Sequence, residues 1–303
     1  MRPLKIALDW TPNSNHIGIL IAKELGFYND HGLEVNVLNP IDDDYKTTPG
    51  KKLELGMADF AIAPFETVIS LNNKNNAFAS KAVFAILQED ISSIASLKSS
   101  NLDAPRFLDG KTYASYKARY EDLIVEEMIK NDGGKGKMNI IYPEKLGIWN
   151  TLLKGKADAT WIFDNWEGVE AKTKQIDLNT FSLGEFGIPY GYSPVIIANS
   201  NLLIESKRDY SRFINATKQG YLFAVEHKRK SADILKKHVT AYDRANIDLY
   251  KSVKMTAPYF GSVITCGVME EQKIKDFLSW LVKHNIEDQR IMEQNLFTND
   301  LLL

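Results

Sequence analysis

The segment Asp9-Trp10-Thr11-Pro12-Asn13-Ser14-Asn15-His16 crowds an acid, an indole, two amides and an imidazole together. An indole offers a flat face on which a ring can stack. An amide offers a donor and an acceptor side by side, which suits the edge of a heterocycle. His16 could act as an acid or base near neutral pH. Phe65-Glu66 pairs an aromatic wall with an acceptor for an amino group. Ser115, Tyr116 and Tyr120 form a third group. The run Trp161 to Glu167 holds two tryptophans, two acids and an amide. Period-two alternation places Trp161 and Phe163 on one strand face, with the loop beginning near Asp164, so Asp164 and Trp166 are the expected ligand contacts. Tyr190 and Tyr192, in Gly187-Ile188-Pro189-Tyr190-Gly191-Tyr192, complete the set as aromatic walls. Each group also has a structural role open to it. Asn13 and Asn15 suit an Asx turn or helix cap, Glu66 suits a helix start, and the two later tyrosines suit the packing of a hinge.

Aromatic rings with a few amides and carboxylates suit a flat, neutral or cationic ring and not a phosphate-rich ligand. The chain carries no Gly-x-Gly-x-x-Gly or Walker-type loop, no His-Glu-x-x-His and no Gly-x-Ser-x-Gly. The single cysteine, Cys266, excludes an intrachain disulfide and a cysteine-cluster metal site, and reads as a small buried hydrophobe. A net charge of −2 without a long basic tract gives no footprint for nucleic acid, and His227-Lys228-Arg229-Lys230 reads as a solvated helix end. The expected partner is a small heterocycle, with no metal, nucleic acid or cofactor. Met1-Arg2-Pro3-Leu4-Lys5 runs straight into a strand pattern, so the chain as written is expected to be cytoplasmic. A leader trimmed from a precursor would instead make it periplasmic or membrane-anchored outside the cell.

The elements that must position these residues follow from periodicity. Leu4 to Trp10, Gly32 to Leu38, Ala58 to Ala63 and Val83 to Leu87 read as strands. His16 to Leu25, Lys51 to Leu55 and Phe65 to Leu71 read as helices, with Gly26 stopping the first. Ile91 to Lys98 reads as a crossing strand. The pattern then restarts: strands at 112–114, 138–142 and 159–163, helices at 120–130 and 146–153. Tyr192 to Ala198 reads as a returning strand, and helices follow at 206–225, 230–238, 244–257 and 270–284. The segment Gly56-Met57-Ala58-Asp59 is echoed by Gly155-Lys156-Ala157-Asp158 at the same place in the second βαβαβ run. The fold class is therefore α/β, in two lobes. Residues 1–95 and 196–303 form lobe one, residues 96–195 form an inserted lobe two, the helical C-terminus packs on lobe one, and a ligand cleft lies between the lobes.

Leu8 to His16, together with Leu53-Glu54-Leu55-Gly56-Met57-Ala58-Asp59-Phe60, resembles the thiamine-pyrimidine-synthase-like family of the periplasmic-binding-protein fold, closest in pattern to its members that bind pyrimidine thiamine precursors. The resemblance covers roughly the whole chain, is strongest over the first third, and implies a two-lobed, periplasmic-binding-protein-like (type II) fold. One branch of the family implies a substrate-binding protein that works with an ABC transporter permease. The other implies a synthase that makes hydroxymethylpyrimidine phosphate from pyridoxal phosphate and its own histidine. In that branch the anchor lysine and donor histidine would fall at Ala63 and Thr67 here, and a cysteine motif near Gly187 to Tyr192, where this chain has no cysteine. The resemblance therefore implies a binding protein for a pyrimidine precursor. The synthase, with pyridoxal phosphate as cofactor and His16 as a cleft residue, is the alternative.

Overall fold

The structure is a computed structural model that describes residues 3–143 and 147–302. The chain divides into two compact units. One comprises Met1–Glu89, Gly191–Ile274 and Glu293–Leu303, the other Asp90–Tyr190 and Lys275–Met292.

The first unit opens with β1 (Leu4–Ala7), α1 (Ile17–Glu24), α2 (Phe27–Asp30), β2 (Val35–Leu38), α3 (Pro49–Glu54), β3 (Phe60–Ala63), α4 (Phe65–Asn73) and β4 (Ser80–Ala85). The second follows with β5 (Ser92–Leu97), β6 (Thr112–Ala114), α5 (Glu121–Asn131), β7 (Asn139–Ile141), α6 (Ile148–Leu153), β8 (Ala159–Phe163), α7 (Glu167–Thr173) and β9 (Leu178–Ser182). The chain then returns to the first unit through β10 (Val195–Asn199), α8 (Lys207–Glu226), α9 (Lys228–His238), α10 (Ala241–Asn246) and α11 (Leu249–Thr256), and α12 (Glu271–Lys283) follows.

Both units build one sheet on one plan. The first has order β2-β1-β3-β10-β4, the second β7-β6-β8-β5-β9. In each, the first three strands are parallel, and the fourth runs antiparallel to both its neighbours. Central strands covered on both faces read as continuous apolar runs, as in Phe60-Ala61-Ile62-Ala63 and Val195-Ile196-Ile197-Ala198, all buried. The echo seen in the sequence is a repeated joint. The N–H of Asp59 donates to the Lys5 carbonyl at 2.9 Å, while its carboxylate accepts the Lys5 N–H at 2.9 Å. The N–H of Asp158 donates to the Thr112 carbonyl at 2.7 Å, and its carboxylate accepts the Thr112 N–H at 2.8 Å. Gly56 and Gly155 take φ of 68° and 63°, the left-handed turn that ends each preceding helix and aims the aspartate at the first strand of its unit.

Helix α8 lies against α1 at a distance only glycine permits. A Cβ on Gly220 would fall 1.9 Å from the Gly18 carbonyl oxygen. Cys266 is buried, and burial pushes its thiol up to about 12, as expected of an inert packing residue.

Several elements differ from expectation. The unit borders fall at Glu89/Asp90 and Tyr190/Gly191, not at 95/96 and 195/196, because β5 belongs wholly to the second sheet. The C-terminal helices do not all belong to the first unit, since residues 275–292 join the second. There Phe277 meets Tyr190 at 5.5 Å and Tyr120 at 6.4 Å, and Glu287 accepts from the Tyr120 hydroxyl at 2.7 Å and from Arg119 Nε at 3.0 Å. The helix expected over 244–257 is two helices, because Asp248 ends the extended Ile247 and caps α11 through the Lys251 N–H at 3.0 Å. The expected start of α6 at Leu146 lies outside the described residues. Among those residues, no helix is long and apolar enough to cross a membrane.

Candidate functional site

In the first unit the residues after β1 fold into a self-bonded turn. Asn13 Oδ1 accepts the Asn15 N–H at 2.9 Å, and its amide Nδ2 donates to the Thr11 carbonyl at 3.2 Å. His16 Nδ1 accepts the Asn13 N–H at 3.2 Å, so the ring proton sits on Nε2 and is donated to Asp9 Oδ1 at 2.7 Å. Both imidazole nitrogens are thus held by the chain and the ring is fully buried, which places His16 as a brace of the turn rather than as the acid or base its type allows. Asn15 is buried, and its carbonyl accepts the Tyr221 hydroxyl at 2.7 Å. Ser14 Oγ accepts from the Ser252 and Thr256 hydroxyls at 2.9 and 3.0 Å, which pins the turn to α11.

What this turn presents is Trp10, 44% exposed, with Tyr45 at 5.5 Å and an interplanar angle of 52°. Asp44 and Tyr45 have φ of 53° and 60°, a backbone region that costs non-glycine residues about 1 kcal/mol each. Strain of this kind concentrates where a side chain must be held for function. Phe65 and Glu66 begin α4 and are buried. The Phe65 N–H donates to the Tyr192 carbonyl at 3.3 Å. Tyr192 is also buried: its hydroxyl accepts the Glu270 N–H at 2.9 Å, and Lys273 Nζ lies 4.7 Å from its ring centre.

In the second unit Trp161, on β8, is half-buried and meets Tyr190 edge-on at 5.5 Å. Trp166 is only 4% exposed, at the start of α7. The strand thus holds the more open indole and the turn beyond it the packed one, which makes Trp161 the more accessible of the two. Asp164, also half-buried, accepts the Ser93 hydroxyl at 2.8 Å. Burial pushes its carboxyl above the ordinary range, and the Ser93 hydrogen bond offsets this only in part. Ser115 is buried, and its hydroxyl accepts the Lys117 N–H at 2.9 Å, so it serves its own loop. Tyr116, next to it, is 41% exposed. Tyr120 is buried with its hydroxyl on Glu287.

The structure thus gathers Trp10, Asn13, Asn15 and His16 in one turn and joins Phe65 to Tyr192. It sets Trp161, Tyr190 and Tyr120 along one aromatic row through Phe277. Sequence reasoning missed Tyr45, Ser93 and Glu121. Ser93 and Tyr45 lie in segments whose local pattern gives no sign of a distant partner, and Glu121 reads as an ordinary first-turn acid.

Two sheets of this order define the periplasmic-binding-protein fold. A solved ligand-binding component of an ABC-type import system from Staphylococcus aureus matches with a TM-score of 0.70, covering 95% of this chain and 93% of its own, at 16% identity. The chain belongs to the family described as NMT1/THI5 like, whose model matches residues 13–231. The formylaminopyrimidine-binding protein of Halalkalibacterium halodurans is 23% identical, over 99% of this chain and 90% of its own length. The 4-amino-5-hydroxymethyl-2-methylpyrimidine phosphate synthase of Legionella pneumophila is 21% identical, over 98% of this chain and 91% of its own.

Proposed function

We propose that the chain is the small-molecule receptor for a pyrimidine precursor of thiamine, working outside the cytoplasmic membrane with an ABC transporter permease. The observation that carries this reading is the full-length similarity to a formylaminopyrimidine-binding protein in a chain whose two sheets have the architecture of an ABC-type import component. Trp161 and Tyr190 offer partly open ring surface, and Asp164, just beyond the end of the same strand and bonded to Ser93, carries a carboxyl that burial biases toward its protonated form. A carboxyl in that state can donate to the ring nitrogen of an aminopyrimidine while its second oxygen accepts from the exocyclic amino group. Trp10 and Tyr45 offer a second aromatic face in the first unit. The full-length similarity to a formylaminopyrimidine-binding protein supports the same ligand class.

The synthase reading has less support. Its anchor lysine would fall at Ala63, the buried last residue of β3, and its donor histidine at Thr67 in the first turn of α4. Neither side chain can form an imine or donate an imidazole. His16 is no substitute, because both its nitrogens are engaged.

A thermal-shift titration with hydroxymethylpyrimidine, formylaminopyrimidine, thiamine and pyridoxal phosphate tests the reading. A pyrimidine at about 100 times its dissociation constant should add about 2.7 kcal/mol of stability. A response to pyridoxal phosphate alone, with a borohydride-trapped lysine adduct, would replace the receptor with the synthase.

A further inference from the structure

The loop Ser115 to Ala118 follows the carboxyl end of β6, the end at which α/β sheets bind ligands. Its backbone is satisfied from within. The Ser115 N–H donates to the Ile141 carbonyl at 3.0 Å, and the Lys117 N–H donates to Ser115 Oγ at 2.9 Å. The other two N–H groups converge on one side chain. Glu121 Oε1 accepts the Tyr116 N–H at 3.1 Å and the Tyr113 hydroxyl at 2.8 Å, and Oε2 accepts the Ala118 N–H at 3.1 Å. Glu121 is 4% exposed, and Lys117 is bent to a φ of 63° to let the loop close on it. With its N–H groups spent, what the loop offers outward is side chains, and Tyr116 is the open aromatic among them.

We propose that Glu121 is a positioning residue for ligand binding: its carboxylate fixes the Ser115–Ala118 loop so that Tyr116 presents its ring to the bound heterocycle. The inference rests on the receptor reading above. Two features argue for this role over simple packing. The donors around Glu121 are complementary to a carboxylate and to nothing else of that shape, since glutamine would turn an NH2 group toward either the Tyr116 or the Ala118 N–H. Burial also raises the Glu121 carboxyl despite those hydrogen bonds, so the ionised group is held at a cost to the fold. Groups held against stability belong where geometry matters more than stability.

Two variants and two readouts test it. Glu121→Gln should leave the chain folded with a modestly lower melting temperature at pH 7, because one buried N–H then faces an NH2 group, and it should speed amide hydrogen exchange at Tyr116 and Ala118 and weaken formylaminopyrimidine binding about tenfold or more by calorimetry. Tyr116→Ala, at an exposed position, should fold normally and weaken binding by a similar factor. Faster exchange in Glu121→Gln with unchanged affinity, or unchanged affinity in Tyr116→Ala, overturns the proposal, as does unchanged exchange at the two amides. If the wild-type chain binds no pyrimidine at all, the receptor reading fails and this role fails with it; if wild type binds and only the variants behave otherwise, the positioning role alone is lost.

Discussion

A carboxyl that keeps its proton near neutral pH can do what an exposed one cannot: it can donate to a ring nitrogen and accept from the amino group beside it. Burial raises the Asp164 carboxyl in that direction, and a hydroxyl from Ser93 orients it. The two tryptophans near it separate binding from packing. Trp161→Ala removes a half-open ring, so we expect a loss of roughly tenfold or more in pyrimidine affinity with only a modest fall in melting temperature. Trp166→Ala removes a buried ring and should cost about 3–5 kcal/mol in urea unfolding. Equal effects of the two on affinity would contradict the assignment. At this scale the sequence was partly legible. Residue types placed Trp10 and Asp164 at strand ends and Tyr190 ahead of the returning strand, where the structure has them, while alternation alone did not show that Trp166 is packed and Trp161 half-open. Alternation says which face a residue takes but not what covers that face. Ser93 reaches Asp164 across 71 positions, and Tyr45 reaches Trp10 from an irregular loop; neither contact leaves a local signal.

The clearest element is the Gly-x-Ala-Asp joint, because it occurs twice with the same bonds. An aspartate that both donates and accepts across one residue of the neighbouring strand fixes the register of two parallel strands at their start. Asp59→Ala and Asp158→Ala should each cost about 1–3 kcal/mol, the loss of a hydrogen bond and exposure of an orphaned N–H. The Asp59 change should be the larger, since Asp59 is buried and Asp158 half-buried. Chemical denaturation of both variants checks this, and a negligible effect at either position would remove the idea of a shared joint. These elements were readable because a positive-φ glycine, a small residue and an acid each have a reason to be there. The segments that went unread lacked such reasons. Helix α7 (Glu-Gly-Val-Glu-Ala-Lys-Thr) is short and carries a glycine, and β9 (Leu-Asn-Thr-Phe-Ser) is an edge strand with two polar positions at its centre. Their structure comes from the sheet they join and not from local preference.

Across the molecule, the carboxyls fall into two groups whose effects on stability oppose each other. Burial raises Glu121 and Asp164, so each favours folding in its protonated form. That contribution is complete below the ordinary carboxyl value of about 4 and is lost as pH climbs through the raised folded value. Glu24, Asp109 and Asp248 are lowered, chiefly by the Lys237 hydrogen bond for Glu24, the Lys137 and Lys135 N–H groups for Asp109, and the Lys251 N–H for Asp248. Their contribution is complete above about 4 and is lost as pH falls through their lowered values. Glu24 is exposed and Asp109 and Asp248 are half-buried near the surface, so screening keeps their effect modest. Acidification should therefore first lower the melting temperature slightly near the ordinary imidazole value of about 6.5, because burial lowers His238 and the unfolded chain takes up that proton first; it should then raise it as Glu121 and Asp164 take up protons on the way to about pH 4, and lower it again below that. The double variant Glu121→Gln, Asp164→Asn should lose the rise and keep the acid limb. A melting curve series with no rise anywhere above about pH 4, or a rise that survives in the double variant, would show that these two buried carboxyls do not govern that range.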